Sequence, residues 1–280
     1  MSPAMTDRYA VIGNPVGHSK SPLIHAEFAR QTGQDIEYSR LLAPLDGFRS
    51  AVEEFRRAGG KGLNVTLPFK LEAYQLATQR SARAGDAEAV NVLSFGKDSI
   101  EGDNTDGIGL VRDIEENLGF PIAGKRVLLL GAGGAAQGTV GPLLAAQPAT
   151  LAVGNRTTEK AQRLVGRFTG NARFPGAVVQ AGSFHSYAGA RFDLVVNATS
   201  ASLKDTAPDI PMGLFAAESM AYDMMYGQGL TPFLRLAQQQ GASRLADGLG
   251  MLVEQAAESF LIWRGVRPDT RPVIRQLQSL

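Results

Sequence analysis

Apolar runs of strand length alternate with stretches that carry an apolar stripe at helical spacing. This β-α rhythm predicts an α/β protein built largely on parallel strands. Tyr9-Ala10-Val11-Ile12 reads as a first strand broken by Gly13-Asn14-Pro15, and Ile36, Tyr38 and Leu41-Leu42 read as a second. Between them Ile24 and Phe28 share a helical face, with Ser21 expected as N-cap, Pro22 as first helical residue and Gly33 near the stop. Val52 and Phe55 mark a helix before the short strand Gly62-Leu63-Asn64-Val65, and Pro68 is expected to open the next helix. Ala89 to Phe95 reads as a strand and Ile100 to Asp103 as its antiparallel return, so the first sheet is mixed but mostly parallel. Ile108, Val111, Ile114 and Leu118 then carry an amphipathic helix, and Gly119, Pro121 and Gly124 follow it, so a domain boundary is expected between Asp106 and Gly124.

The second half opens on Val127-Leu128-Leu129-Leu130, which feeds straight into Gly131-Ala132-Gly133-Gly134-Ala135-Ala136 and an alanine-rich helical stretch. Strand, G-x-G-x-x-A turn and helix together form a dinucleotide-binding unit. Gly131 permits the turn, Gly133 lets a pyrophosphate approach the backbone, and Ala136 allows close helix packing. Leu151 to Gly154, Phe192 to Val196 and Ser219 to Asp223 read as further buried strands of a Rossmann-like domain. The long helical stripe Leu252, Val253, Ala256, Phe260 and Trp263 is expected to return to the first domain, which makes that domain discontinuous. The expected division is 1–106 plus 248–280 against 107–247.

Composition narrows the function classes. The 280 residues carry 28 basic and 27 acidic side chains, a formal net charge of +1, which gives no basic stripe for nucleic acid. The chain has no cysteine, so disulfides and thiolate chemistry are excluded, and His18, His25 and His185 are not spaced as metal ligands, so no metal is expected. Neither a signal-peptide pattern nor a membrane-length apolar run is present, and a cytoplasmic setting is expected.

Several polar residues punctuate strand ends, and each has two readings. Ser19 and Ser21 either cap a helix or present hydroxyls to a small carboxylate. Lys70 sits in the first turn of a helix, the end whose dipole disfavours a cation. It is either an ordinary solvated lysine or, desolvated in a cleft, a group able to exchange a proton nearer neutrality. Asp106 either caps the helix that follows or orients Lys70 or a substrate hydroxyl. Asn91 lies within an apolar run and needs hydrogen-bond partners if buried. Met224 suits nicotinamide packing or core filling, Tyr226 is a substrate donor or a packed ring, and Gln255 faces a cleft or solvent. At Asn155-Arg156-Thr157, followed by Lys160, the strand end lacks the carboxylate that accepts from ribose hydroxyls. The positive charge there favours NADP over NAD.

Taken together, the motifs resemble the shikimate dehydrogenase family over nearly the whole chain. They are Gly13-Asn14-Pro15, His18-Ser19-Lys20-Ser21-Pro22, Asn64-Val65-Thr66-Leu67-Pro68-Phe69-Lys70, Gly102-Asp103-Asn104-Thr105-Asp106-Gly107, the Gly131 loop, Asn155-Arg156-Thr157, Asn197-Ala198-Thr199-Ser200 and Asp247-Gly248-Leu249-Gly250-Met251-Leu252. The resemblance implies an N-terminal substrate domain and an NADP-binding domain, with reversible NADPH-dependent reduction of 3-dehydroshikimate to shikimate. It implies that Lys70 and Asp106 are catalytic, that Ser19 and Ser21 bind the substrate carboxylate, and that Asn64, Thr66, Asn91, Tyr226 and Gln255 line the same site. It places Gly131 to Ala136 on the pyrophosphate, Asn155, Arg156, Thr157 and Lys160 on the adenosine phosphate, and Thr199, Met224 and Gly248 near nicotinamide. Lys160 stands where the family often has arginine, and Ser202 where it usually has glycine. A quinate/shikimate dehydrogenase of broader specificity and a catalytically idle NADP-binding regulator are the competing readings. A monomer and a homodimer are both compatible with the chain, and no nucleic-acid or membrane partner is expected.

Overall fold

The computed structural model describes residues 6–199, 201 and 205–279. Ser200 and Ser202 lie outside the described residues. The chain divides into two compact units, Met1–Gly109 with Val253–Leu280, and Leu110–Leu252. Both breaks fall inside helices.

The first unit contains β1 (Asp7–Gly13), α1 (Ser21–Thr32), β2 (Ile36–Leu42), α2 (Phe48–Arg57), β3 (Gly60–Val65), α3 (Lys70–Leu76), β4 (Gln79–Arg80), α4 (Ala82–Ala87), β5 (Val92–Phe95) and β6 (Ile100–Asp103). Helix α5 (Asp106–Arg112) and a π-helical turn (Asp113–Asn117) lead to the elements of the second unit. These are β7 (Arg126–Leu130), α6 (Gly134–Ala145), β8 (Thr150–Gly154), α7 (Thr158–Gly166), β9 (Val179–Gly182), β10 (Phe192–Asn197), β11 (Phe215–Asp223), α8 (Pro232–Gln239) and β12 (Arg244–Ala246). Helix α9 (Leu249–Arg264) carries the chain back, and α10 (Arg271–Gln278) follows it.

The sheet of the first unit has the order β2-β1-β3-β5-β6-β4. Strand β1 is parallel to both neighbours, β5 is antiparallel to β3 and β6, and the sheet is mixed. Side chains alternate across it with the strand period. Ala10, Ile12, Leu63 and Val65 pack with Phe48, Val52 and Phe55 of α2 and with Phe69 and Ala73. On the other side Tyr9 stacks on Trp263 of α9, ring centroids 4.6 Å apart, and Phe28 of α1 meets Phe260 of α9 edge-on at 5.8 Å.

The second sheet has the order β12-β11-β10-β7-β8-β9 and all its pairings are parallel. Val127 and Leu129 join Val140 and Leu143 of α6 in one core cluster, while Leu128 and Leu130 join Phe233 and Leu234 of α8 in another. With both faces covered, the strand reads as an unbroken apolar run. Strand order reverses between β7 and β10, and that switch point is where doubly wound sheets hold their ligands, beyond the carboxyl ends of the strands.

Local corrections follow from side-chain competition and from short elements. Ser21 is the first residue of α1 and not its cap. Lys20 holds the N-cap position, and the Ser19 hydroxyl accepts from the Ser21 N–H at 3.3 Å. Helix α3 starts at Lys70, two residues past Pro68, and β5 starts at Val92, not at Ala89. The helix expected over 107–118 changes to a π-helical turn at Asp113. Strands β4, β9 and β12 are two to four residues long, too short to show periodicity, and were not expected.

A Cβ at Gly62 would lie 2.5 Å from Trp263 Nε1 and 2.7 Å from the Leu93 carbonyl oxygen, so only glycine lets α9 pack on β3. Gly62→Ala is therefore expected to lower the unfolding free energy by ~1–3 kcal/mol through overpacking, read as a fall in the urea midpoint at unchanged slope.

Candidate active site

The polar centre of the first unit is assembled where β3, β5 and the turn into α5 meet α9. Lys70, the first residue of α3, places Nζ 2.5 Å from Asp106 Oδ2, and the two side chains are 22% and 11% exposed. The other carboxylate oxygen, Oδ1, accepts from Asn91 Nδ2 at 2.8 Å. Asn91 is buried and its needs are met: Nδ2 also donates to Thr105 Oγ1 at 3.0 Å and to Gln255 Oε1 at 3.4 Å, and Oδ1 accepts from the Thr105 N–H at 2.8 Å. Asp106 itself is set by a tight polar turn in which Asn104 Oδ1 accepts the Asp106 N–H at 3.1 Å. Its carboxylate thus faces Lys70 and Asn91.

Glycine makes the approach of Gln255 possible. A Cβ at Gly109 in α5 would lie 2.7 Å from the Gln255 backbone nitrogen and 2.8 Å from its Cβ. Gln255 is half-buried, and its Oε1 accepts from Asn91.

A second polar string runs along the same unit. Ser19 Oγ donates to Ser21 Oγ at 3.1 Å, while Arg40 clamps the Ser19 carbonyl with Nη2 at 2.6 Å and Nε at 3.1 Å. Tyr38 donates to Asn64 Oδ1 at 2.7 Å, and Asn64 Nδ2 donates to Ser259 Oγ at 2.9 Å. Thr66 is half-buried, and its methyl group occupies the space a Cβ at Gly13 would need. The structure therefore gathers Asn64, Asn91, Lys70, Asp106 and Gln255 into one hydrogen-bonded region with Tyr38, Thr105 and Ser259, while Ser19 and Ser21 form a hydrogen-bonded pair of their own in the same unit. None of those three connecting residues stood out in the sequence. Only the place of Tyr38 in an alternating strand offered a signal.

The outer support is ionic. Asp103 accepts from Ser81 at 2.5 Å and pairs with Arg83 Nη2 at 2.7 Å, and Arg83 reaches Glu258 at 2.8 Å. Burial alone pushes the Asp103 carboxyl up, but the hydrogen bonds and charge of Arg83, with Ser81, outweigh it and hold the carboxyl below its ordinary value.

In the second unit Gly131 has φ +111°, and a Cβ there would meet the Ala198 carbonyl oxygen at 3.1 Å, so the turn after β7 requires glycine. Ala132 and Ala136 are buried, whereas Gly133, Gly134 and Ala135 are exposed at the start of α6. A Cβ at Gly133 or Gly134 would meet nothing within 4 Å, which leaves an open cradle above unpaired first-turn N–H groups. Past β8, Asn155 Nδ2 fixes the Thr157 carbonyl at 2.8 Å, and Arg156, Thr157 and Lys160 are exposed beside it. This donor set fits a phosphorylated dinucleotide: open backbone for pyrophosphate, two cations and an amide for a further phosphate.

Past β10 and β11 a buried pair ties two more segments together. Asn197 Oδ1 accepts from Thr199 Oγ1 at 2.7 Å, and Asn197 Nδ2 donates to Asp223 Oδ1 at 3.1 Å. Asp223 also accepts from the Met225 N–H at 3.1 Å and from Thr231 Oγ1 at 2.5 Å. Met224 is half-buried, packs against the core, and leaves its carbonyl 2.2 Å from where a Cβ on Gly248 would stand. Tyr226 is half-buried on the same loop, where burial and the Asp247 carboxylate raise its hydroxyl above the usual range.

Comparison with known proteins adds to this geometry. Family models match residues 11–93 (shikimate dehydrogenase substrate binding domain), 113–204 (shikimate / quinate 5-dehydrogenase) and 248–278 (shikimate 5'-dehydrogenase C-terminal domain). The chain is 62% identical to the shikimate dehydrogenase (NADP(+)) of Aromatoleum aromaticum over 97% of each protein. It belongs to the shikimate dehydrogenase family. Among solved structures, an Ael1 enzyme from Pseudomonas putida is 53% identical, with TM-score 0.91 over 97% of this chain and 98% of that one. The shikimate 5-dehydrogenase of Thermus thermophilus, solved with NADP(H) and shikimate, is 32% identical, with TM-score 0.84 over 98% and 99% of the two chains. The site residues of this shikimate dehydrogenase family member lie on the segments those family models cover, except Asp106 and Met224 to Tyr226, which fall between them.

Because the folded pKa of Asp103 is depressed, its ion pair contributes stability above the unfolded value of 3.8, and that contribution is lost as pH falls through the folded pKa. Asp103→Asn is expected to cost about 2 kcal/mol at neutral pH, the scale of hydrogen bonds to a charged group. Urea midpoints of parent and variant should converge as the pH is lowered below 3.8.

Proposed function

We propose that the polar centre of the first unit binds 3-dehydroshikimate or shikimate and that Lys70 carries the proton in their interconversion. The protein is an NADP-dependent oxidoreductase of the shikimate family, acting in the formation of the chorismate precursor shikimate for aromatic amino-acid biosynthesis. The observation that supports the reading of the site is the Lys70 to Asp106 contact at 2.5 Å, with the second carboxylate oxygen occupied by Asn91.

NADPH supplies the hydride that adds to the substrate carbonyl carbon. The carbonyl oxygen gains the electron pair of its former π bond and needs a proton, which Lys70 Nζ provides. Asp106 holds Nζ in place by accepting one of its hydrogens, and the ammonium stabilises negative charge on the oxygen as it develops. In the reverse direction Lys70 takes the hydroxyl proton, and bound NADP would accept the hydride. Asn91 keeps Asp106 from rotating away, since it fixes the oxygen that Lys70 does not use.

Ser19 and Ser21 offer hydroxyls to the substrate carboxylate, with Arg40 holding the Ser19 backbone. Asn64, Thr66, Asn91 and Gln255 serve the ring hydroxyls, and Tyr226 approaches the same substrate. Gly131 to Ala136 hold the pyrophosphate, Asn155, Arg156, Thr157 and Lys160 hold the 2′-phosphate, and Thr199, Met224 and Gly248 shape the nicotinamide end. Residues 1–106 with 248–280 form the substrate domain and 107–247 the cofactor domain. The enzyme works in the cytoplasm as a monomer or homodimer, without nucleic-acid or membrane partners. Among the described residues no helix is long and apolar enough to cross a membrane.

A broader enzyme that also oxidises quinate is the second reading, since one matching family is described as shikimate / quinate 5-dehydrogenase. Following NADPH absorbance with shikimate and quinate, each against NADP and NAD, separates the two. Shikimate with NADP is expected to dominate. On that substrate pair Lys70→Ala should lower kcat by about 10³-fold, within the range for loss of a general acid–base, and leave NADPH affinity unchanged. A variant turning over near the parental rate would remove Lys70 from the chemistry.

A further inference from the structure

The string of side chains from Tyr38 through Asn64 to Ser259 has a single direction. Ser19 donates to Ser21 at 3.1 Å, and Tyr38 donates to Asn64 Oδ1 at 2.7 Å. Asn64 then donates through Nδ2 to Ser259 Oγ at 2.9 Å and to the Asn91 carbonyl at 3.4 Å, and Ser259 passes its own proton to the Gln255 carbonyl at 2.9 Å. Every donor in the string has one acceptor, and bonds aligned this way polarise one another. An amide has two N–H donors and two carbonyl lone pairs. Both N–H groups of Asn64 have protein acceptors and its oxygen accepts from Tyr38, so the oxygen is the end of the amide left to meet a ligand.

The ring of Tyr38 is held as firmly as its hydroxyl. His25 of α1 lies fully buried against it, ring centroids 4.1 Å apart and planes within 6°. Neither nitrogen of His25 has a hydrogen-bond partner in the structure, and burial pushes the imidazole down to about 3, outweighing the opposing pull of the nearby Asn64 amide. His25 is therefore a neutral flat platform. Burial likewise holds the Tyr38 hydroxyl well above its ordinary pKa, so it remains a donor.

We propose that Tyr38 is a positioning residue for the substrate, its hydroxyl fixing the Asn64 amide so that Asn64 acts only as an acceptor and selects a substrate group that carries a hydroxyl proton. This rests on the reading of Asn64 as a substrate contact. Without the Tyr38 donor the Asn64 carbonyl oxygen loses its partner, and the amide, held then only through Nδ2 by Ser259 and the Asn91 carbonyl, is less firmly aimed at a substrate hydroxyl. A ring ketone or methyl ether at the same position, which can only accept, is rejected by the parental arrangement and discriminated against less in its absence.

The test is a double-mutant cycle on the full-length enzyme with Tyr38→Phe, Asn64→Ala and the pair, reading KM for shikimate, KM for NADP, kcat and the thermal midpoint. Tyr38→Phe keeps the ring on its histidine platform and removes one oxygen. It is expected to raise KM for shikimate about tenfold, the scale set by leaving a buried acceptor unpaired, with kcat and KM for NADP changed by less than about threefold. Asn64→Ala is expected to raise KM for shikimate at least as much, and adding Tyr38→Phe to it should change nothing further. A purely structural role would lower the thermal midpoint without this split between the two KM values. The proposal is overturned if the two substitutions multiply, if KM for NADP rises in step with KM for shikimate, or if Tyr38→Phe leaves KM for shikimate at the parental value. Should Tyr38→Phe act while Asn64→Ala does not, the reading of Asn64 as a substrate contact fails, and the route through it fails with it. The parental rate on shikimate and NADP, measured alongside, keeps both outcomes separate from the enzyme's activity.

Discussion

An ammonium and a carboxylate 2.5 Å apart and mostly out of water attract strongly only if each is also solvated by the protein, because desolvation of the pair otherwise consumes the Coulombic gain. The first unit is arranged around that requirement. Asn91 donates to the carboxylate oxygen that Lys70 leaves free, and is itself satisfied by Thr105 and Gln255. Asn104 turns the chain so that Asp106 begins a helix with its carboxylate directed at the lysine. Gly109 lets α9 come close enough to contribute Gln255, and Gly62 lets the same helix seat Trp263 against β3. Each of these features is explicable as support for one ion pair held in one geometry, which is what a proton transfer timed with hydride movement asks of a protein.

The second unit solves a different problem with backbone in place of charge. Its parallel sheet, covered on both faces, leaves ligands only the carboxyl ends of the strands, and the reversal of strand order between β7 and β10 opens a crevice there. Gly131 makes the turn, the exposed Gly133 and Gly134 keep side chains out of the crevice, and Asn197 with Asp223 locks the segments on the far side of the switch point. Arg156 and Lys160 provide exposed positive charge past β8, where the residue that follows the strand is Asn155 and not a carboxylate.

Much of this was legible in the sequence because it is local. The apolar run into Gly131, the alternation of β1, the four-residue spacing of Ile24 and Phe28 and the isolated Asn91 all declare themselves within a few positions. What was not legible is long-range. Tyr38 meets Asn64 across 26 positions and Asn64 meets Ser259 across 195, and no periodicity reports such a contact. Gly62 and Gly109 look like ordinary glycines until the helix that crosses them is in place. Ser21 was misread as a cap because the residue before Pro22 is already helical: Ser21 is the first residue of α1, and its own N–H is taken by the Ser19 hydroxyl. Lys70 drew attention for an electrostatic reason, its position at the wrong end of a helix dipole, and the structure supplies Asp106 as the group that compensates.

The central claim is that Lys70 and Asp106 function as one unit, and single-turnover rates of hydride transfer in Lys70→Ala, Asp106→Ala and the double variant test it most directly. The account predicts that the double variant is no slower than the slower of the two single variants, because residues that act together lose their contribution together. Rate losses that multiply would contradict it, since each residue would then act on the substrate by a separate route.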